Sequence, residues 1–166
     1  MKSTPGVLQV QDVHVVYPGR PGRGRPGEVR ALRGVNLSVA AGETVALVGE
    51  SGSGKTTLLK LFNRLVEPSQ GVVLVRGEDV ASQDPIRLRR HIGYVQQEGG
   101  LLPHWTIARN VELVPRLLGW DPEKRRVRTR EVLELVGLPD TDLAERHPRE
   151  LSGGQRQRVA IARALA

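Results

Sequence analysis

At 166 residues, 39% of them apolar, the chain can bury one real core and carries a single domain or one and a half subdomains. No apolar run approaches the roughly 20 residues that cross a bilayer, the N-terminus has no apolar leader core, and cysteine is absent. A membrane span, a secretory leader, a disulfide framework and a thiolate metal site are therefore not expected, and the cytoplasm is the expected compartment.

The net charge of +7 would suit a nucleic-acid or membrane surface. The arginines are dispersed, however (Arg20, Arg23, Arg25, Arg87, Arg89, Arg90, Arg125, Arg126, Arg128, Arg130), and only two Trp, two Tyr and one Phe are available to stack on bases. Solvated faces, or an acidic remainder of the domain outside these residues, account for the charge more simply, and nucleic acid is not expected as a partner.

Residues 7–17 alternate and are rich in Val, as an edge strand is, and lead into an arginine- and glycine-rich loop at 18–28. A second strand is predicted at 29–40, then a turn at Ala41 and Gly42. Residues 43–48 (ETVALV) read as a short buried strand of the parallel type. A glycine loop, GESGSGKT, follows at 49–56, and residues 56–66 have helical spacing (Leu58, Leu59, Leu61, Phe62, Leu65) stopped by Pro68 and Gly71. Further strands are predicted at 72–76 and 92–95, a short basic helix at 85–90, and a polar break at 96–100. Residues 107–118 and 123–136 read as helical pieces separated by a break at 119–122, with Pro139, Asp140 and Pro148 at the exit and a last helix at 156–166. The predicted organisation is a strand-rich core (1–100), an inserted helical subdomain (101–150), and a closing motif with its helix (151–166).

Two motifs carry chemistry. Residues 49–56 match the phosphate-loop pattern in its required setting, with an apolar strand before and a helix after. Gly49, Gly52 and Gly54 let the backbone, with Glu50, Ser51 and Ser53 between them, wrap its N–H groups around a β-phosphate. Lys55 neutralises β- and γ-oxygens, the Thr56 hydroxyl ligates Mg²⁺, and Thr57 adds an α-phosphate contact. The second motif, Leu151-Ser152-Gly153-Gly154-Gln155, offers a capping hydroxyl and bare backbone N–H groups to an anion at a helix N-terminus.

With GESGSGKT, a glutamine after IGYV, and LSGGQRQRVAIARALA in this order and spacing, the chain resembles the ATP-binding subunit of ABC transporters along essentially its whole length. The resemblance implies an α/β phosphate-loop core of ABC type with an antiparallel β edge and an inserted helical subdomain. It implies ATP and Mg²⁺ as cofactors and a head-to-tail dimer in which Ser152, Gly153, Gly154 and Gln155 of one subunit close on the γ-phosphate held by the other. Gln97 corresponds to the family's loop glutamine, which meets Mg²⁺ and the attacking water; an amide can donate, accept or ligate without changing charge. Gln96 is the competing choice. Tyr17 falls where the family stacks an aromatic on adenine, a contact worth about 1–3 kcal/mol in related settings. Lys55 and Gln97 are thus the catalytic candidates. None of the four histidines, His14, His91, His104 and His147, forms a metal-ligand pair at helical or hairpin spacing, and each reads as structural.

The stretch LLPHWTIARNVELVPRLLGWDPEKRR is similar to ATPase subunits of osmoprotectant importers for glycine betaine, choline or proline-type quaternary amines. That likeness implies transmembrane permease subunits docked on this surface, an extracytoplasmic solute-binding protein in the same system, and a peripheral place on the cytoplasmic face of the inner membrane. After LSGGQ the family continues with an apolar strand ending in Asp and a catalytic Glu, which these residues do not contain. Residues 1–166 alone are therefore expected to bind ATP without hydrolysing it usefully, since general-base help is worth about 10²- to 10⁴-fold. The alternative is a non-transport ABC protein or a non-hydrolysing nucleotide-binding module, associated with nucleic acid through the basic loop.

Overall fold

The computed structural model describes residues 6–18, 27–97, 99–139 and 142–166. Most of the basic loop at 18–28, with Arg20, Arg23 and Arg25, and the turn residue Asp140 lie outside them. The architecture is α/β, and the chain divides into two compact units, Met1–Arg89 and Arg90–Ala166. The signature helix and residues 90–100 thus fall in the same unit as the helical segment.

The first unit is built on a four-stranded antiparallel sheet in the order β2-β1-β3-β4, with β1 at Leu8–Tyr17, β2 at Val29–Val39, β3 at Gln70–Val75 and β4 at Glu78–Asp79. β1 buries Val10, Val13 and Val15, a set that strict alternation cannot place on one face. A bulge reconciles them: Asp12 adopts φ 47° and the pairing to β2 shifts between Val10 and Val13, so the buried parity changes from even to odd. Gly71, at φ 92°, faces this bulge, where a Cβ would run into the carbonyl oxygens of Gln11 and Asp12. β3 and β4 are joined through Arg76 and Gly77, both at positive φ, as a two-residue hairpin requires.

Helix α1, Lys55–Phe62, buries Leu58, Leu61 and Phe62. It ends at Asn63, whose Oδ1 accepts the Leu65 N–H at 3.2 Å, with Arg64 left-handed at φ 52°. Helix α2, Pro85–Arg90, starts where Asp84 accepts the Arg87 N–H at 2.7 Å.

The sequence pattern predicts a strand of the parallel type at 43–48 and a further strand at 92–95, and the structure forms neither. Val45 and Val48 are exposed, Val48 at 93%. The apolar run has the composition of a buried strand, but strand structure needs a neighbour to complete its hydrogen bonds, and among the described residues no strand lies beside it.

The second unit is helical: α3 (Ile107–Val111), α4 (Leu113–Leu117), α5 (Pro122–Leu135) and α6 (Gly153–Leu165), with short 3₁₀ turns at Asp142–Glu145 and Pro148–Glu150. Its core joins Ile107 and Val111 of α3, Val132 and Leu133 of α5, Leu138, Leu143 and Leu151 of the turns, and Val159 and Ala162 of α6. The predicted helix at 107–118 divides at Glu112 because Pro115 has no N–H for the Val111 carbonyl and its ring crowds that carbonyl. α5 starts on Asp121, which accepts the Lys124 N–H at 2.9 Å, with Pro122 in the first turn. It is the longest helix at 14 residues, about 21 Å, and no helix among the described residues is long and apolar enough to cross a membrane.

Candidate functional site

The phosphate-loop motif lies in the first unit. Its backbone takes φ values of 156° at Gly49, 83° at Gly52 and 91° at Gly54. The last two lie in the left-handed region that side chains disfavour. Gly54 is needed twice over, because a Cβ there would also stand 2.6 Å from the Ala31 carbonyl oxygen and 2.8 Å from Leu32 Cδ2. Gly54 is the N-cap of α1, and no side chain caps this helix. The N–H groups of its first turn, at the positive end of the helix dipole, therefore have no capping side chain.

Lys55 folds back into the loop, where Nζ donates to the carbonyl oxygens of Gly49 at 2.7 Å and Glu50 at 2.6 Å and to Ser53 Oγ at 3.1 Å. All three acceptors are neutral, so the ammonium charge stays available to an anion entering the loop. Ser51 and Thr56 are exposed beside it. The Tyr17 hydroxyl lies 3.5 Å from Thr57 Oγ1. The end of β1 is therefore brought to the first turn of α1, with Tyr17 38% exposed.

The other predicted site residues are in the second unit. Ser152 caps α6: its Oγ accepts the Gln155 N–H at 3.2 Å while Gln155 Oε1 accepts the Ser152 N–H at 2.9 Å. This reciprocal capping box starts the helix at Gly153, three residues before the predicted 156. Gly153 and Gly154 have no positive φ. A Cβ at Gly154 would meet nothing within 4 Å, and one at Gly153 only the end of Arg156 at 3.8 Å. Just ahead, Glu150 Oε2 accepts the His147 N–H at 2.6 Å, and this bond holds the Glu150 carboxyl below the usual carboxylate range.

Gln97 is exposed in a turn closed by the Gly99 N–H donating to the Gln96 carbonyl at 2.9 Å. Two residues that sequence reasoning passes over hold the segment after it. Arg163 of α6 donates to the carbonyls of Gly99 at 2.9 Å and Gly100 at 2.8 Å, and its burial lowers its pKa below the ordinary guanidinium value. Asn110, fully buried on α3, accepts the Leu102 N–H at 2.7 Å and donates to the carbonyls of Leu102, Trp105 and Thr106. A polar residue between Ile107 and Val111 on the apolar face was the available signal.

Seven of the arginines have a structural role. Arg64, Arg89, Arg125, Arg128, Arg156, Arg158 and Arg163 each donate to backbone carbonyls at turns or helix ends. On the surface of α5, Arg126 forms a two-point pair with Glu123 at 2.8 and 3.0 Å, which lowers the glutamate pKa and raises that of the arginine. His14 lies 3.3 Å from Asp12, His147 3.4 Å from Glu150, and His104 stacks edge-on against Trp105. Among the described residues, no three His, Cys, Asp or Glu side chains gather into a metal-binding group.

The family model for ABC transporters matches residues 32–166. The chain is 47% identical over 160 residues to the glycine betaine/carnitine/choline transport ATP-binding protein OpuCA of Bacillus subtilis, covering 96% of this chain and 40% of that protein. It is 46% identical over 144 residues to the osmoprotectant import ATP-binding protein OsmV of Salmonella typhimurium, covering 87% of this chain and 37% of that one. The chain thus spans about two fifths of these relatives' length. Among solved structures, an ATP-binding cassette described as a dimer in a post-hydrolysis state with ADP and Pi superposes with a TM-score of 0.82 at 38% identity, covering 96% of this chain and 69% of that one. Matched by the family model over most of its length, with both family motifs in place, the chain belongs to the ABC transporter family.

Proposed function

We propose that the chain is the nucleotide-binding part of the ATP-binding subunit of an ABC importer for osmoprotectants of the quaternary-amine class. The observation that carries nucleotide binding is the loop at 49–56. There an uncapped helix start, forced left-handed glycines and an ammonium held only by neutral oxygens converge on the volume a phosphate would fill. ATP enters with its phosphates in this loop, Lys55 exchanging its loop acceptors for β- and γ-oxygens, and Tyr17 stacking on the base.

Mg²⁺ is a hard cation that takes oxygen ligands and shares phosphate oxygens with few protein donors. The exposed hydroxyl of Thr56 at the start of α1 fits that donor set. When bound, the ion would neutralise charge on the β- and γ-phosphates. Gln97 is the amide that would orient the attacking water or ligate the ion.

Ser152, Gly153, Gly154 and Gln155 would receive the γ-phosphate of a second subunit in a head-to-tail dimer. Their bareness supports this reading, because neither glycine is required by backbone conformation or by packing within the chain. A hydrolysing full-length protein would couple dimer closure and reopening to solute uptake through permease subunits supplied by an extracytoplasmic solute-binding protein. It would sit peripherally on the cytoplasmic face of the membrane. The names of OpuCA and OsmV support the solute class.

The test is co-expression of the full-length protein with candidate permease subunits. Co-purification and ATPase activity stimulated by a glycine betaine- or choline-loaded binding protein are expected. A full-length protein that ignores the permease and instead binds DNA or RNA with a steep salt dependence would overturn the importer reading.

A further inference from the structure

The segment on either side of Gln97 is seated on the helix that carries the signature. Before it, Gly93 packs so closely on the last turn of α6 that a Cβ would run into the Ala164 carbonyl oxygen. After it, Gly99 is buried, with its absent Cβ directed at Ala160 Cβ of α6 at 3.6 Å. Gly99 and Gly100 are both left-handed, at φ 78° and 59°, and their two carbonyls are gripped by the two Nη atoms of Arg163 at 2.9 and 2.8 Å. A planar guanidinium with a fixed donor fork sets direction as well as distance, which a lysine ammonium does not.

We propose that Arg163 is a positioning residue for Gln97: it ties Gly99 and Gly100, just after the loop glutamine, to α6, so that one helix, capped by Ser152 at its start, places Gln97 at its end. α6 is a continuous 13-residue helix. A displacement at Ser152–Gln155 is therefore carried to Gly99 and Gly100 through one rigid element and two hydrogen bonds. Arg163 itself contacts no substrate in this role. The inference rests on the proposed role of Gln97 in ATP hydrolysis.

The experiment uses the full-length protein and compares Arg163→Met, Arg163→Lys, Gln97→Ala and the Arg163→Met/Gln97→Ala double variant. Arg163→Met is expected to lower kcat about tenfold, as misplacement of a catalytic group does. KM for ATP should stay within about twofold, because the phosphate loop is untouched. Arg163→Lys should recover only part of the loss. The double variant should be no slower than Gln97→Ala alone, since the two changes act on one step. Hydrogen exchange supplies the second readout: amides of residues 97–102 should lose protection about tenfold in Arg163→Met, while those of 155–160 keep theirs.

Multiplying rate losses in the double variant, or unchanged exchange at 97–102, would overturn the proposal. Exchange on Arg163→Lys decides the matter if the methionine variant fails to fold. If Gln97→Ala leaves kcat unchanged, the role given to Gln97 fails, while the exchange result still judges the grip of Arg163 on the turn.

Discussion

Helix α1 starts at Gly54 with no capping side chain and an ammonium folded into the loop before it. Helix α6 starts at Ser152 with its first turn closed by the reciprocal bonds of Ser152 and Gln155. Both starts are glycine-rich, but the glycines answer different demands. Gly52 and Gly54 are imposed by left-handed backbone, and Gly54 also by the carbonyl of Ala31. Gly153 and Gly154 meet no internal demand of either kind. On the proposed reading, the first start shapes a loop for the chain's own nucleotide and leaves the helix uncapped, and the second caps itself and offers a bare surface to the nucleotide of a partner.

The sharpest way to break this comparison is to add one methyl group to each. Gly54→Ala must hold alanine at φ 91° with Cβ against a backbone carbonyl, and should cost about 2–3 kcal/mol of stability in a denaturant melt and remove ATP binding. Gly154→Ala, in open space on a helix, should instead stabilise the fold by about 0.5–1 kcal/mol. In the full-length protein it should impair nucleotide-driven dimer formation, read by sedimentation or light scattering. Equal melting losses for the two variants would erase the distinction.

A smaller effect sharpens the second start. The folded Glu150 carboxyl titrates below its unfolded value, chiefly through the hydrogen bond from the His147 N–H. Its stabilisation is thus fully present above the ordinary glutamate range and lost as pH falls through the lowered folded value. An NMR titration should place the Glu150 midpoint below that of a free glutamate. Amides of residues 147–151 should exchange faster under acid, and Glu150→Gln should remove that dependence. A Glu150 midpoint in the ordinary range would contradict the assignment.

Local pattern made β1, β2, α1 and both motifs legible, because their periodicity, glycines and flanking residues are set within a few positions. The runs at 43–48 and 92–95 misled for the converse reason. Apolar composition marks what a strand can bury, but a strand exists only through a neighbour that local sequence does not name. The bulge at Asp12 was hidden by an almost regular valine alternation. The division at Glu112 was written in Pro115. The roles of Asn110 and Arg163 depend on which carbonyls the fold brings to them, and Arg163 reaches back 63 residues to Gly100. Among the arginines that contribute to the net charge of +7, some, such as Arg89 and Arg158, tie down turns and helix ends, a role their dispersal in the sequence does not reveal.

The central claim is that nucleotide recognition within one chain belongs to the 49–56 loop and not to 151–155. Calorimetric titration of MgATP into monomeric protein tests it directly, with Lys55→Ala and Ser152→Ala measured side by side. Lys55→Ala should weaken binding roughly a hundredfold or more, as loss of charge-assisted bonds to phosphate implies. Ser152→Ala should bind as the parent does, its only monomer effect being the loss of a helix cap worth about 1 kcal/mol of stability. Weakened MgATP binding by monomeric Ser152→Ala, or unchanged binding by Lys55→Ala, would contradict the account.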